Sequence, residues 1–263
     1  MKKFFAAFNA VLILVVIYVN YWVGVNGLNG NTVGSLSTKY DTLFTPAGYA
    51  FSIWGLIFFL LLVHAYYQIK AVFISKKYND FVVTLGPWLA LANLANIAWL
   101  YAWLMEYTGL SVFLMLIILG ALTTAVIRLN LQRWDAPFVV IRNIWWPITV
   151  YYGWITVATI ANISAYLVKT GWNETVDEVQ WSVIMVVAAA VLNLAILFLR
   201  SMREFALVGL WAIGAICIRH WGEQTSIQWT ALMSAMVLAL AIVGHNIYHW
   251  KTHPMYKWLN RNK

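Results

Sequence analysis

With 263 residues, 63% of them hydrophobic and 10% charged, the chain has too few charged side chains to cover a water-soluble surface, which excludes a soluble globular domain. A formal net charge of +8 would suit nucleic acid, but the basic residues sit in short breaks between apolar stretches and form no patch, so that class is excluded too. The single cysteine, Cys217, excludes an intramolecular disulfide and any cysteine-based metal or redox motif.

Eight apolar segments follow one another, at about 4–23, 46–69, 81–104, 110–128, 138–168, 179–199, 205–219 and 228–250, most of them near the ~20 residues that cross a hydrocarbon core. Lys2 and Lys3 before the first segment resemble a signal peptide, but no small-x-small cleavage site follows, and Tyr18, Tyr21 and Trp22 suit an interface belt. An uncleaved first helix is expected. The connection after it, Gly24 to Thr45, is the longest and is rich in Gly, Asn, Ser and Thr, as a binding loop would be. In the long fifth segment Pro147 removes a backbone donor, which predicts a kink or a broken first turn near Trp145 to Pro147. Arg142, near the start of that segment, is expected to snorkel to headgroups, with Asp135 as the alternative partner. The fold class is therefore an all-α integral membrane protein of about eight transmembrane helices, with the lipid bilayer as its first partner.

Orientation follows from Lys and Arg in alternate breaks, because cationic loops stay on the cytoplasmic side. With the N-terminus inside, Lys2, Lys3, Lys70, Lys76, Lys77, Arg128, Arg133, Arg200, Arg203, Lys251, Lys257, Arg261 and Lys263 are cytoplasmic, and only Lys39, Lys169 and Arg219 are outside. An even count puts both ends in the cytoplasm, with the plasma or inner membrane expected in a bacterium.

Three separated stretches resemble the tryptophan-rich sensory protein family, also called TspO/MBR, which includes the mitochondrial translocator protein. At the start of the second helix stand Pro46, Gly48, Tyr49, Phe51, Trp54 and Phe58, with Thr45 in place of the family's first proline and Phe58 where tyrosine is usual. In the third, Leu94, Asn96, Trp99 and Trp103 are similar to the family's Leu-x-Asn-x-x-Trp and its following aromatics. In the fifth, Tyr151, Trp154, Thr159 and Asn162 keep the spacing of Tyr-x-x-Trp ending in Thr-x-x-Asn. The resemblance covers residues 1–168 as a five-helix membrane domain and leaves 169–263 as three additional helices and a basic cytoplasmic tail. It implies a receptor for flat hydrophobic ligands, tetrapyrroles such as porphyrin or haem above all, with sensing or transport as the roles and no required cofactor. The family's sterol motif is not supported, because Tyr166 and Lys169 lack a Leu or Val within five residues upstream of the tyrosine.

The same residues have a physical reading of their own. Asn96, Trp99 and Trp103 share one helical stripe, as do Tyr151, Trp154 and Asn162, and two such stripes with Pro46, Phe51 and Trp54 suit a planar conjugated ligand. Interface anchoring or packing is the plainer role of any single tryptophan, and Asn93, Asn96, Asn162 and Asn193 suit interhelical packing. His64 and His245 fall at similar depth and are the candidate haem ligands of a rival, haem-containing redox protein. His245, His249 and His253 recur every four residues without the carboxylate of a metalloprotease helix, so metal binding is the weaker reading there. Arg219, His220 and Glu223 read as a solvated turn with a local ion pair, and Asn173-Glu174-Thr175 as a glycan acceptor only in a eukaryotic secretory context. No Ser-His-Asp, Cys-His or paired-carboxylate arrangement supports an enzyme, and intramembrane charges that would couple a transporter to ions are nearly absent. Gly209 and Gly214 permit close helix contact, as a homodimer would use, without specifying a partner.

Overall fold

In hydrocarbon every backbone N–H and C=O must find a partner within the chain, which leaves helices as the outcome for long apolar segments that do not alternate. The computed structural model describes residues 1–76, 79–171 and 177–250, and their regular structure is helical, apart from an isolated bridge between Leu28 and Asn31. The helices are α1 (Lys2–Asn26), α2 (Val33–Lys39), α3 (Ile53–Ile69), α4 (Phe81–Leu104), α5 (Thr108–Arg128), α6 (Phe138–Val140), α7 (Trp146–Lys169), α8 (Glu178–Arg200), α9 (Arg203–Arg219) and α10 (Thr225–Tyr248). A 3₁₀ turn (Gly48–Ser52) leads into α3, a π turn (Lys70–Ser75) ends it, and a second π turn (Ile141–Trp145) joins α6 to α7. Lys77, the Asn173-Glu174-Thr175 sequon, His253 and the basic tail from Lys251 lie outside the described residues.

Among the described residues six stretches are long and apolar enough to cross a bilayer: Lys2–Asn26, Gly48–Ser75, Phe81–Leu104, Thr108–Arg128, Glu178–Arg200 and Thr225–Tyr248. The other two expected segments are α7 and α9, and both lie inside the bundle. Helix α9 has 17 residues, and α7 carries buried Thr149, Thr156, Thr159, Asn162 and Ser164, which neighbouring helices can accommodate better than acyl chains would.

Helices α1, α4, α5, α7 and α3 pack in that order and close a ring, α3 returning to α1. Helix α9 lies against α7, and α8 and α10 pack on α9. One apolar core fills the ring and takes Met202, Phe205, Val208, Ala212 and Ala215 from the α9 side. A second core joins α8, α9 and α10 and takes Phe44 from the first connection, so α9 is the seam between the two. Gly153 of α7 makes that seam close: a Cβ there would stand 3.1 Å from Val208 Cβ.

The break predicted near Pro147 takes the form of the π turn, with the proline in the first turn of α7. In an α-helix the amide at 147 would bond the Asn143 carbonyl, and proline has no such hydrogen. His64 fills the vacancy, its Nδ1 donating to Asn143 O at 2.9 Å. Arg142 is exposed, with Nε 3.4 Å from Asn143 Oδ1 and its guanidinium 6.0 Å from the Phe138 ring centre.

Candidate ligand-binding site

The connection between α1 and α3 folds over one end of the ring. Thr32 caps α2, its hydroxyl accepting from Ser35 N while Ser35 Oγ accepts from Thr32 N, and fully buried Leu36 anchors the helix in the ring's core. The far end is latched to the α4–α5 turn. Lys39 Nζ donates to both carboxylate oxygens of Glu106 at 2.9 and 2.7 Å, the Tyr40 hydroxyl donates to the same carboxylate, and Asn31 Nδ2 adds a bond of 3.3 Å. Bonds from Lys39 and then Tyr40 hold the Glu106 carboxyl at about 2, well below the usual carboxylate range. Lys39 is raised in turn by that carboxylate, and the Tyr40 hydroxyl is raised by burial and then by Glu106.

The next stretch, 41–47, forms a lip held from the α9 side. Arg219 donates to the carbonyls of Thr42 and Thr45 at 3.2 and 2.7 Å and pairs with Asp41, His220 Nε2 donates to Leu43 O at 2.8 Å, and Ala47 N donates to Ala215 O at 3.2 Å. The expected solvated turn is therefore a long-range clamp, with His220 buried at 3% exposure. The missed signal is Arg219, a cation in a stretch poor in them, opposite Asp41 in the longest connection.

Beneath this cover lie two adjoining spaces. The outer is about 1000 Å³ and is lined by Asn20, Tyr21 and Gly24 of α1, by Val33, Ser37 and Thr38 of α2, by Pro46, Phe51, Trp54 and Phe58, and by Trp99, Asp41 and Arg219 among others. The inner is about 50 Å³ and is lined by Trp103, Met115, Trp154, Val157, Asn162 and Ala165 together with Val33, Ser37, Thr45, Pro46, Phe51, Trp54 and Trp99, which it shares with the outer. The shared walls make the inner space the floor of the outer. The inner one as it stands is far below the several hundred Å³ of a drug-sized pocket, whereas the outer one is ample.

Of the nine residues singled out by sequence, Pro46, Phe51, Trp54, Trp99, Trp103, Trp154 and Asn162 line these spaces, and Asn96 and Tyr151 do not. Trp54 stacks on Phe58 at 5.4 Å and meets Trp154 edge-on at 6.5 Å, Phe51 meets Trp154 at 5.9 Å, and Trp99 stacks on Trp103 at 6.4 Å. Trp99 Nε1 donates to Asn162 Oδ1 at 3.0 Å, and Asn162 Nδ2 donates to Ser111 Oγ at 3.0 Å, which ties α4, α7 and α5 together. Asn96 instead accepts from Asn20 at 3.2 Å, joining α4 to α1 one turn deeper, and Tyr151 packs edge-on against Trp54 at 6.1 Å. The indole N–H groups of Trp103 and Trp154 are buried donors with no partner among the described residues. By contrast Trp22, Trp221 and Trp229 are exposed, as interface anchors are.

His64 and His245 are not brought together. His64 serves Asn143, whereas His245, on the α8–α10 side, has Arg203 Nε donating to its Nδ1 at 3.2 Å and its ring 4.5 Å from that of His249. Among the described residues no three His, Cys, Asp or Glu side chains gather as a metal site would need.

No curated protein and no solved structure matches the chain. A family model described as TSPO-like protein matches residues 6–244, from α1 through nearly all of α10, and with the five-helix ring and its aromatic hollow in view, the chain belongs to the TSPO-like protein family.

Proposed function

We propose that this membrane protein is a receptor or carrier for a planar hydrophobic ligand, a tetrapyrrole such as a porphyrin or haem, held beneath α2 between α1, α3, α4 and α7. Membership of the family supports membrane ligand binding or transport in general. The observation that carries the finer reading is that two of the tryptophans lining the mostly apolar inner space, Trp103 and Trp154, keep buried indole donors without a partner among the described residues. An unpaired buried donor is unfavourable, and a flat ligand with acceptor atoms on its edge would satisfy both donors while its faces stack on Trp54 and Trp99. The outer space has room for such a ligand, and its edge would press between Trp99 and Trp154 into the narrow floor. On the same reading both chain ends lie in the cytoplasm, as the lysine and arginine distribution requires, and the hollow opens on the opposite side.

Protoporphyrin titrated into the protein in mild detergent should quench tryptophan emission saturably. Trp99→Ala combined with Trp154→Ala should raise the half-saturating concentration at least tenfold, because each aromatic contact is worth about 1 kcal/mol beyond its buried area. Quenching that is linear, or saturable but unmoved in the double variant, would refute the site.

A further inference from the structure

A second groove, of about 790 Å³, runs along α3 toward the start of α7, at the end of the bundle away from the aromatic hollow. Lys2 Nζ marks that end as the N-terminal one, since it meets Asn79 and Asp80 in the α3–α4 connection at 2.8 and 2.6 Å. The groove is apolar along its length: Phe59, Leu62 and Tyr66 are 61, 40 and 67% exposed, so in a bilayer this wall faces acyl chains. Trp146 lines it as well, and with its indole N–H held by Glu204 at 2.8 Å it offers only its ring.

Its polar end is built from the two π turns. Lys70 opens the Lys70–Ser75 turn and Arg142 lies in the Ile141–Trp145 turn, and both side chains line the groove. Wide turns of this kind interrupt a helix at a cost and concentrate at functional sites. Among the described residues neither cation has a carboxylate within ion-pair distance, and Arg142 bonds the protein only through Nε, at 3.4 Å from Asn143 Oδ1. A guanidinium at the start of a membrane helix is unfavourable until a counter-charge or headgroup meets it.

We propose that this groove is a binding site for one anionic phospholipid of the N-terminal leaflet. Its phosphate lies between Lys70 and Arg142, and an acyl chain runs past Tyr66, Leu62 and Phe59. The arrangement fits an amphiphile because the two charges stand at one end of a long apolar wall. A free anion would leave that wall unused. The site is separate from the aromatic hollow and stands or falls without it.

The test uses the full chain reconstituted in nanodiscs of equal phosphatidylglycerol and phosphatidylcholine, transferred to mild detergent and weighed by native mass spectrometry. Retained phosphatidylglycerol should exceed phosphatidylcholine about thirtyfold, the range expected from two cations at a membrane surface at about 1 kcal/mol each. Lys70→Gln with Arg142→Gln should bring the ratio to parity, and Lys70→Arg with Arg142→Lys should keep it. Lys70 is exposed, so Lys70→Gln alone leaves the fold intact and should reduce the ratio to about fivefold. Parity in the unaltered protein, an unmoved ratio in Lys70→Gln, displacement of the lipid by millimolar inorganic phosphate, or a lipid-free dimer covering the groove would each overturn the proposal. Porphyrin quenching should be unchanged in these variants.

Discussion

Pro147 and His64 act as one unit although 83 positions separate them in the sequence. The proline leaves the Asn143 carbonyl without the amide an α-helix would supply, and the His64 Nδ1–H replaces it from α3. A carbonyl can only accept, so the proton sits on Nδ1. His64→Ala should therefore leave a buried acceptor unpaired and destabilise the protein by about 1–3 kcal/mol, read as a lower thermal midpoint in detergent. Pro147→Ala returns an amide at that position, and in the His64→Ala background it should recover part of the loss. Equal effects of His64→Ala in the two backgrounds would show that the bond carries no weight. Both residues stood out in the sequence, the proline as a helix break and the histidine as a haem ligand, but nothing in the linear order relates one to the other.

At the scale of elements, α2 is the one with the clearest electrostatic hold, because Lys39, Tyr40 and Asn31 converge on Glu106. A carboxylate held at about 2 contributes stability that is fully present above its unfolded value of about 4.5 and is lost as pH falls from there toward 2. Lys39, raised above 10.5, contributes below that value and loses its share as pH rises through the shifted one. The latch should therefore hold evenly between about pH 5 and 10 and loosen on either side. Backbone exchange in α2, compared between pH 7 and pH 3.5 after correction for the intrinsic rate, should rise at the lower pH. Glu106→Gln should show the faster exchange already at pH 7 and little further change at pH 3.5. A variant as protected as the unaltered chain at pH 7 would assign the cover's stability to Leu36 alone.

The same elements show what sequence can and cannot convey. Segment 81–104 coincides with α4, because the hydrocarbon core imposes a length and polar breaks mark its ends. Helix α2 lies inside the connection that reads as a binding loop: its Gly and Ser content lowers helix propensity, and its capping box uses Ser35 at the third position, where glutamate or glutamine is the recognisable signal. The aromatic face was legible, its depth was not. Periodicity puts Asn96 beside Trp99 and Tyr151 beside Trp154, but the hollow ends at the level of Trp99 and Trp154, and the two residues a turn deeper pack below its floor.

For the molecule as a whole, α8, α9 and α10 pack against one another around a second core, and their ties to the covered end of the ring run mainly through α9. Arg219, His220 and Ala215 hold the backbone of the 41–47 lip, Glu178 of α8 accepts from Leu43 N at 3.3 Å, and Trp211 Nε1 donates to Ala50 O at 3.1 Å. Because Pro46, a wall of both spaces, sits on that lip, these three helices bear on the shape of the entrance although none of α8 to α10 lines the inner space. Arg219→Ala with His220→Ala removes three carbonyl contacts and one ion pair and leaves the helix cores alone. Helix content by circular dichroism should stay unchanged, exchange at 42–47 should accelerate, and porphyrin affinity should fall several-fold, since the ligand must then order the lip as it binds. Lost affinity with an unchanged lip would instead make Arg219 a direct ligand contact from the wall of the outer space, whereas unchanged affinity would detach α8 to α10 from binding altogether.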